Sequence, residues 1–384
     1  MKGVRSSGEP GLSWGLTQAT LDWASDYFWA HLEDRSIRFL PQAAAPVFLA
    51  SLGQLIARRD DPAGRRALLA VLGRAYQRYG LQSYHDTVIA AAMVGTIRHL
   101  AGSLWDPQFA AAWQLGCRRA LRLANRAAGH MGSGPPFTFA EVESRDKAAD
   151  GVTTLTVRPQ KRLRYLPGQA IAVCTPRRPG VWRWYSPANA PRPDGTVELH
   201  VRAVAQGVVS PVLVEQVLPG EMLWLGPALD TGLSLDAAGE ADLLLAAGGT
   251  GLAPLRALVE EAAGGWWRRV TLVVGARTVA DLYDAVALDK LREAHHGWLE
   301  VVLAFSHDSE VDAASQADLL TMTLNHHRPG QAVYVCGPPG LIEAARFRLP
   351  AAGVASDRLH LAPTFLRRSA VGGHRKPNHR TLGS

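Results

Sequence analysis

The chain has 384 residues, 47% of them hydrophobic and 20% charged, a globular composition that excludes a disordered or fibrous chain. Lysine and arginine number 41 against 34 acidic residues, a formal charge of +7, but five of these cations lie in the acid-free stretch 366–384. The preceding residues are close to neutral, which argues against a nucleic-acid-binding face and makes 367–384 a basic, solvated tail.

Residues 15–130 read as a helical domain rich in Ala, Leu and Arg. Within 106–128, Phe109, Trp113, Cys117, Ala120, Leu121 and Ala124 recur at three- and four-residue spacings and form one apolar stripe. Segments 62–79 and 84–100 repeat the pattern, and the Gly- and Pro-rich segment 129–136 ends it. Residues 136–236 change to a period of two, with strands expected at 152–157, 169–174 and 196–204, as in a small antiparallel barrel. From 240 to 366, apolar strands at 242–247, 270–274, 299–305 and 332–336 alternate with helices at 252–263, 286–295, 316–325 and 341–349. That alternation predicts a parallel, doubly wound α/β domain. Three scattered cysteines without a CxxC pair exclude a disulfide framework and a thiolate metal cluster. No uninterrupted apolar run is long enough to span a membrane and the N-terminus has no signal-type core, so a cytoplasmic protein is expected.

Three short motifs carry chemistry. A buried strand runs into Gly248, Gly249, Thr250 and Gly251, and a helix opens with Pro254 in its first turn. Such a turn lets backbone N–H groups approach a pyrophosphate at a helix N-terminus, although a tight strand-to-helix turn has the same appearance. Arg183, Trp184, Tyr185 and Ser186 are followed after a strand by Gly207 and Ser210, which precede a short helical stretch at 211–217. Arginine forks onto a diphosphate, tyrosine packs on a flat ring and a serine hydroxyl reaches a ring nitrogen; an ordinary amphipathic strand is the plainer reading. Arg277, just after the second α/β strand, suits a 2′-phosphate, where an acid would suit a free ribose.

The succession RxYS, GxxS, GGTGxxP and Cys336-Gly337-Pro338-Pro339-Gly340 closely resembles the ferredoxin–NADP reductase family of flavoproteins over about residues 137–365. The resemblance implies that Arg183, Gly207 and Ser210 hold an FAD diphosphate, while Tyr185 and Ser186 meet its isoalloxazine. It implies further that Gly248, Gly249, Thr250, Gly251 and Pro254 cradle NAD(P)H, with Arg277 near its ribose. Cys336, Gly337 and Pro338 would line the nicotinamide pocket, with Phe365 as the C-terminal aromatic of the flavin site. Ala362 stands where the family often has an acid.

The helical domain ahead of such a reductase resembles that of a flavohemoglobin, through Phe28-Trp29, Phe39-Leu40-Pro41, Leu72-Gly73 and Ala112-Trp113. In that family a histidine binds haem iron where this chain has Tyr76, and Trp29 replaces a distal tyrosine. Tyrosinate is also a known haem ligand, so haem b on Tyr76 stays open. The expected activity is hydride transfer from NAD(P)H to FAD. Electrons then pass to haem and O₂, as in nitric oxide dioxygenation, or to a separate acceptor such as an acidic electron-transfer protein. The alternative is a haem-free sensor or docking module carrying a vestigial reductase.

Overall fold

The computed structural model describes residues 14–33, 40–57, 61–132, 134–265, 268–308 and 310–363, so the basic tail lies outside the described residues. The N-terminal part consists of α1 (Gln18–Glu33), α2 (Ala45–Ala57), α3 (Pro62–Arg78), α4 (Asp86–Ala101) and α5 (Pro107–Ala128). Both α3 and α5 open on Asp-Pro. Asp61 Oδ1 accepts the Gly64 amide at 3.0 Å and Asp106 Oδ1 the Phe109 amide at 2.8 Å, while each proline occupies a position with no intrahelical amide to lose. On α5, Trp113, Cys117, Ala120, Leu121 and Ala124 are buried, and α5 packs on α2, α3 and α4. The segment Ser83–Leu104, with a mean hydropathy of 1.3 over its 18-residue window, is long and apolar enough to cross a membrane, contrary to the sequence expectation. Here Ile89, Met93 and Ile97 on that segment are buried in the helical core, the setting in which a soluble core helix meets the same length and composition.

The second part is an antiparallel sheet of β1 (Thr138–Ala149), β2 (Val152–Pro159), β3 (Ala170–Cys174), β4 (Arg183–Tyr185), β5 (Val197–Arg202) and β6 (Met222–Leu229). Its order is β4-β3-β6-β1-β2-β5, and the short helix α6 (Ser210–Glu215) lies between β5 and β6. An antiparallel bridge from Pro187 to Leu199 brings the end of β4 to β5 and curls the sheet. Val197, Leu199 and Val201 point into its apolar interior. The long strand β1 was absent from the sequence reading because irregularities at Val142/Ser144 and Lys147/Ala149 break its alternation.

The third part has five parallel strands: β7 (Leu243–Gly248), β8 (Val270–Ala276), β9 (Leu299–Phe305), β10 (Ala332–Cys336) and β11 (Leu359–Leu361). They are joined through α7 (Leu252–Ala263), α8 (Ala285–Ala294), α9 (Leu319–His326) and α10 (Pro339–Ala351). β7 and β10 are buried along their whole length, as a sheet covered on both faces requires. The order β11-β10-β7-β8-β9 means that the chain leaves β7 on one side and returns through β10 on the other. The ends of β7 and β10 therefore flank a topological switch point, where ligands of open α/β sheets bind.

The helical part and the barrel share one hydrophobic core. Ala172, Cys174, Trp182, Trp184 and Trp224 of the barrel belong to the same buried cluster as Phe48, Leu72 and Trp113 of the helices. Across this contact the Trp182 indole donates to Ser51 Oγ at 2.9 Å, with both residues fully buried. Ser51→Ala leaves that indole unsatisfied and should lower unfolding free energy by about 1–3 kcal/mol, measured by urea denaturation. An unchanged midpoint would show that the hydrogen bond adds nothing to the contact.

Candidate active site

Two clefts meet at the switch point. The turn after β7 must approach the end of β10 so closely that a Cβ on residue 251 would lie 2.2 Å from the Cys336 carbonyl oxygen, which makes Gly251 a steric necessity. Gly248, Gly249, Gly275, Arg277, Asp281, Ser306, Pro338 and Arg348 line the first cleft. Arg277 pairs with Asp281 at 3.0 Å, and its hydrogen bond holds the Asp281 carboxyl below the usual range. The cleft thus presents a cation and a carboxylate side by side.

The second cleft, with a cavity volume of about 180 Å³, lies between the barrel and the nucleotide-type sheet. Arg183, Tyr185, Ser186, Gly207 and Ser210 line it from the barrel; Thr250, Pro254, Cys336, Gly337, Ala362 and Pro363 line it from the α/β part. The predicted site residues therefore come to adjoining clefts, except Gly251, which is buried behind the turn against Cys336, Phe365, which lies outside the described residues, and Tyr76, which lies in the helical core. The titratable side chains lining the second cleft are Arg183, Tyr185, His200, Arg202 and Cys336, and no carboxylate is among them. A cation-bearing cleft without carboxylates suits an anionic, flat-ringed ligand such as a flavin dinucleotide. Burial pushes the Tyr185 phenol up, against a smaller pull from Arg183, so it stays neutral at physiological pH. Ser210 Oγ accepts the Val204 amide at 3.1 Å, and a Cβ on Gly207 would lie 3.0 Å from that oxygen, so the turn is built around the serine hydroxyl. α6 is only six residues long.

Arg183 has a partner that the sequence reading missed. Its guanidinium pairs with Asp61 Oδ2 at 2.7 Å and donates to its neighbour's carbonyl, Trp182 O, at 2.8 Å. Asp61 lies more than a hundred residues away on the helical part, and only its position before Pro62 hinted at a role, that of a cap. Arg202 was also missed. It lines both clefts, and its guanidinium is 3.7 Å from a Cβ position on Gly249. It ends a strand whose alternation alone reads as barrel wall.

A buried polar network fixes the two walls of the second cleft to each other. His200 on β5 bonds Tyr283 Oη at 2.8 Å and Glu198 Oε1 at 2.9 Å, and Arg256 on α7 reaches Glu198 at 2.8 Å and Asp284 at 3.0 Å. Burial would raise the Glu198 carboxyl, but His200 and Arg256 outweigh it and hold it at about 2, against an ordinary 4.5. A depressed carboxyl stabilises the fold fully above its unfolded value, and that contribution is lost as pH falls from about 4.5 towards about 2. Wild-type stability should therefore fall more steeply than that of Glu198→Gln as urea midpoints are followed down this range; parallel falls would refute the network's role. Arg202→Ala should raise KM for the reduced nicotinamide nucleotide about tenfold with a smaller change in kcat. An unchanged KM would remove Arg202 from the binding surface.

Haem does not fit Tyr76 as it stands. The side chain is 1% exposed, its hydroxyl donates to Asp86 Oδ1 at 2.7 Å, and burial together with that carboxylate pushes the phenol far above its ordinary range. A neutral phenol committed to a carboxylate is a structural bond rather than an iron ligand. Of the helical histidines, His31 Nδ1 lies 2.9 Å from Tyr27 O, His85 Nδ1 accepts the Gln82 amide, and His99 stacks on Trp23 and Tyr27. Among the described residues no group of three or more His, Cys, Asp or Glu is placed to hold a metal ion.

Comparison with known sequences and structures agrees with the geometry of the clefts. The oxidoreductase FAD-binding domain family matches residues 141–228 and the oxidoreductase NAD-binding domain family residues 245–346. The chain is 31% identical over 228 residues to the xylene/toluene monooxygenase electron transfer component XylA of Pseudomonas putida, covering 58% of this chain and 64% of that protein. It is 30% identical over 243 residues to reductase component 1 of terephthalate 1,2-dioxygenase from a Comamonas species, covering 61% of this chain and 70% of that protein. A flavohemoglobin structure from Malassezia yamatoensis aligns over 90% of this chain and 94% of its own, with a TM-score of 0.50 and 16% identity. At that identity the likeness is one of fold alone.

Proposed function

Because the chain belongs to the ferredoxin reductase-type family, and is thus an NAD(P)H-dependent flavin oxidoreductase with FAD- and NAD(P)-binding domains, we propose that it delivers electrons to a separate acceptor protein. The observation that carries this reading is the contiguity of the two clefts through Arg202, with Ser186 and Cys336 lining one wall-to-wall space. FAD, when bound, supplies the two-electron to one-electron conversion between a hydride donor and a carrier.

The chain's own residues do the positioning. Arg183 and the turn around Ser210 would hold the flavin's diphosphate, and neutral Tyr185 and Ser186 would be available to its ring system. Thr250, Pro254, Cys336 and Gly337 hold the nicotinamide end against the same space. The Glu198–His200–Arg256 network keeps the walls at a fixed separation, which is what a hydride jump of short range requires. Ala362 brings no proton donor to the cleft. Two relatives are electron-transfer or reductase components of multi-protein oxygenases, which favours a protein acceptor here. The engaged Tyr76 hydroxyl speaks against a haem acceptor within the helical domain. Haem-replete expression should give a flavin spectrum without a Soret band, and NAD(P)H should reduce ferricyanide at catalytic rates. A Soret band lost in Tyr76→Phe would restore the nitric oxide dioxygenase reading, and a flavin-free, inactive protein would remove the reductase reading.

A further inference from the structure

The flavin-cleft arginine is held by a carboxylate from a different part of the chain. Arg183 and Asp61 pair at 2.7 Å with only 13% and 17% of their side chains exposed, so the ion pair is shielded from water and salt. Asp61 uses its other oxygen, Oδ1, to cap α3, which fixes the carboxylate to a rigid helix end. Gly64 completes the seat: a Cβ there would lie 2.5 Å from both Arg183 Nη1 and Asp61 Oδ2, so a side chain would push the guanidinium off the first turn of α3. The helix in turn packs on β4 and β6 of the barrel, and the buried Trp182–Ser51 bond ties α2 to the residue next to Arg183.

A free arginine side chain loses rotamer freedom worth a large part of any bond it forms. Here two of its nitrogens are already satisfied, Nη2 by Asp61 and Nη1 by Trp182 O, while Arg183 lines both the second cleft and a smaller space beside Asp61 and Gly64. The entropy of ordering it is spent on folding, before any ligand arrives.

We propose that Asp61 is a positioning residue for the flavin diphosphate, and that the helical domain thereby completes the FAD site of the reductase. This rests on the reading of the second cleft as the FAD site. A competing role is the reverse, in which Asp61 draws Arg183 away from the diphosphate; the two roles give opposite signs in the same experiment.

Asparagine caps a helix as well as aspartate does, so Asp61→Asn removes the charge while keeping α3 intact. FAD is titrated by flavin fluorescence into the apo forms of full-length wild type, Asp61→Asn, Arg183→Ala and the double variant. Asp61→Asn should weaken FAD binding about tenfold and should add nothing in the Arg183→Ala background. Unchanged or tighter binding in Asp61→Asn overturns the proposal, and so does a loss that persists at full size without Arg183, since that marks a general structural defect. A wild type that takes up no FAD overturns the underlying flavin reading as well, which separates the two failures.

Discussion

The β7–α7 turn and the end of β10 share a space too small for a side chain. The Cys336 carbonyl stands where a β-carbon of residue 251 would be, so the sheet's two halves close on each other only if that residue is glycine. From this contact follows the position of the backbone N–H groups of 248–251 and the opening of the nucleotide cleft at the switch point. The wall contributed by Cys336 and Gly337 to the neighbouring cleft follows as well. The barrel must then present its own motif to the same place, and the buried Glu198–Arg256 pair, with His200 and Tyr283, is what fixes it there.

The strand that carries the flavin motif is the weak member of this assembly. β4 has three residues, sits at the sheet edge and pairs only with β3. An edge strand that short depends on what covers it. In this protein α2 and α3 cover it, through the tryptophan cluster, the Trp182–Ser51 bond and the Asp61–Arg183 pair. The helical domain therefore has a physical task that needs no haem. Its core is closed around Tyr76, whose hydroxyl is spent on Asp86, while its outer surface braces the flavin strand.

Much of this was legible in the residues. The change from a helical period to a period of two, and then to alternating strands and helices, marked the three parts, because each period reflects which side chains a given element buries. The glycines and the RxYS order marked both clefts, since close backbone approach and ring stacking demand particular residue types. What stayed hidden depended on contacts remote in sequence. Neither Asp61 nor Arg202 belongs to a sequence motif, and their places follow only from contacts with Arg183 and with the two clefts. Glu198 and His200 lie in a segment read only as a strand, and together with Arg256 they form the joint between two domains. Strand β1 was missed for a local reason: its irregular register and its run of charged residues erase the alternation by which strands are recognised. Resemblance to a globin suggested a haem ligand at Tyr76, but the sequence does not show that Asp86, ten residues on, takes the hydroxyl.

Hydride transfer requires the adjoining clefts to hold FAD and a reduced nicotinamide nucleotide a short distance apart. Anaerobic mixing of the FAD-loaded protein with NADH or NADPH in a stopped-flow spectrophotometer tests it most directly. The oxidised flavin absorbance should be lost within a single turnover and return when an electron acceptor is added. Flavin that binds stoichiometrically yet keeps its absorbance with either nucleotide in excess would contradict it.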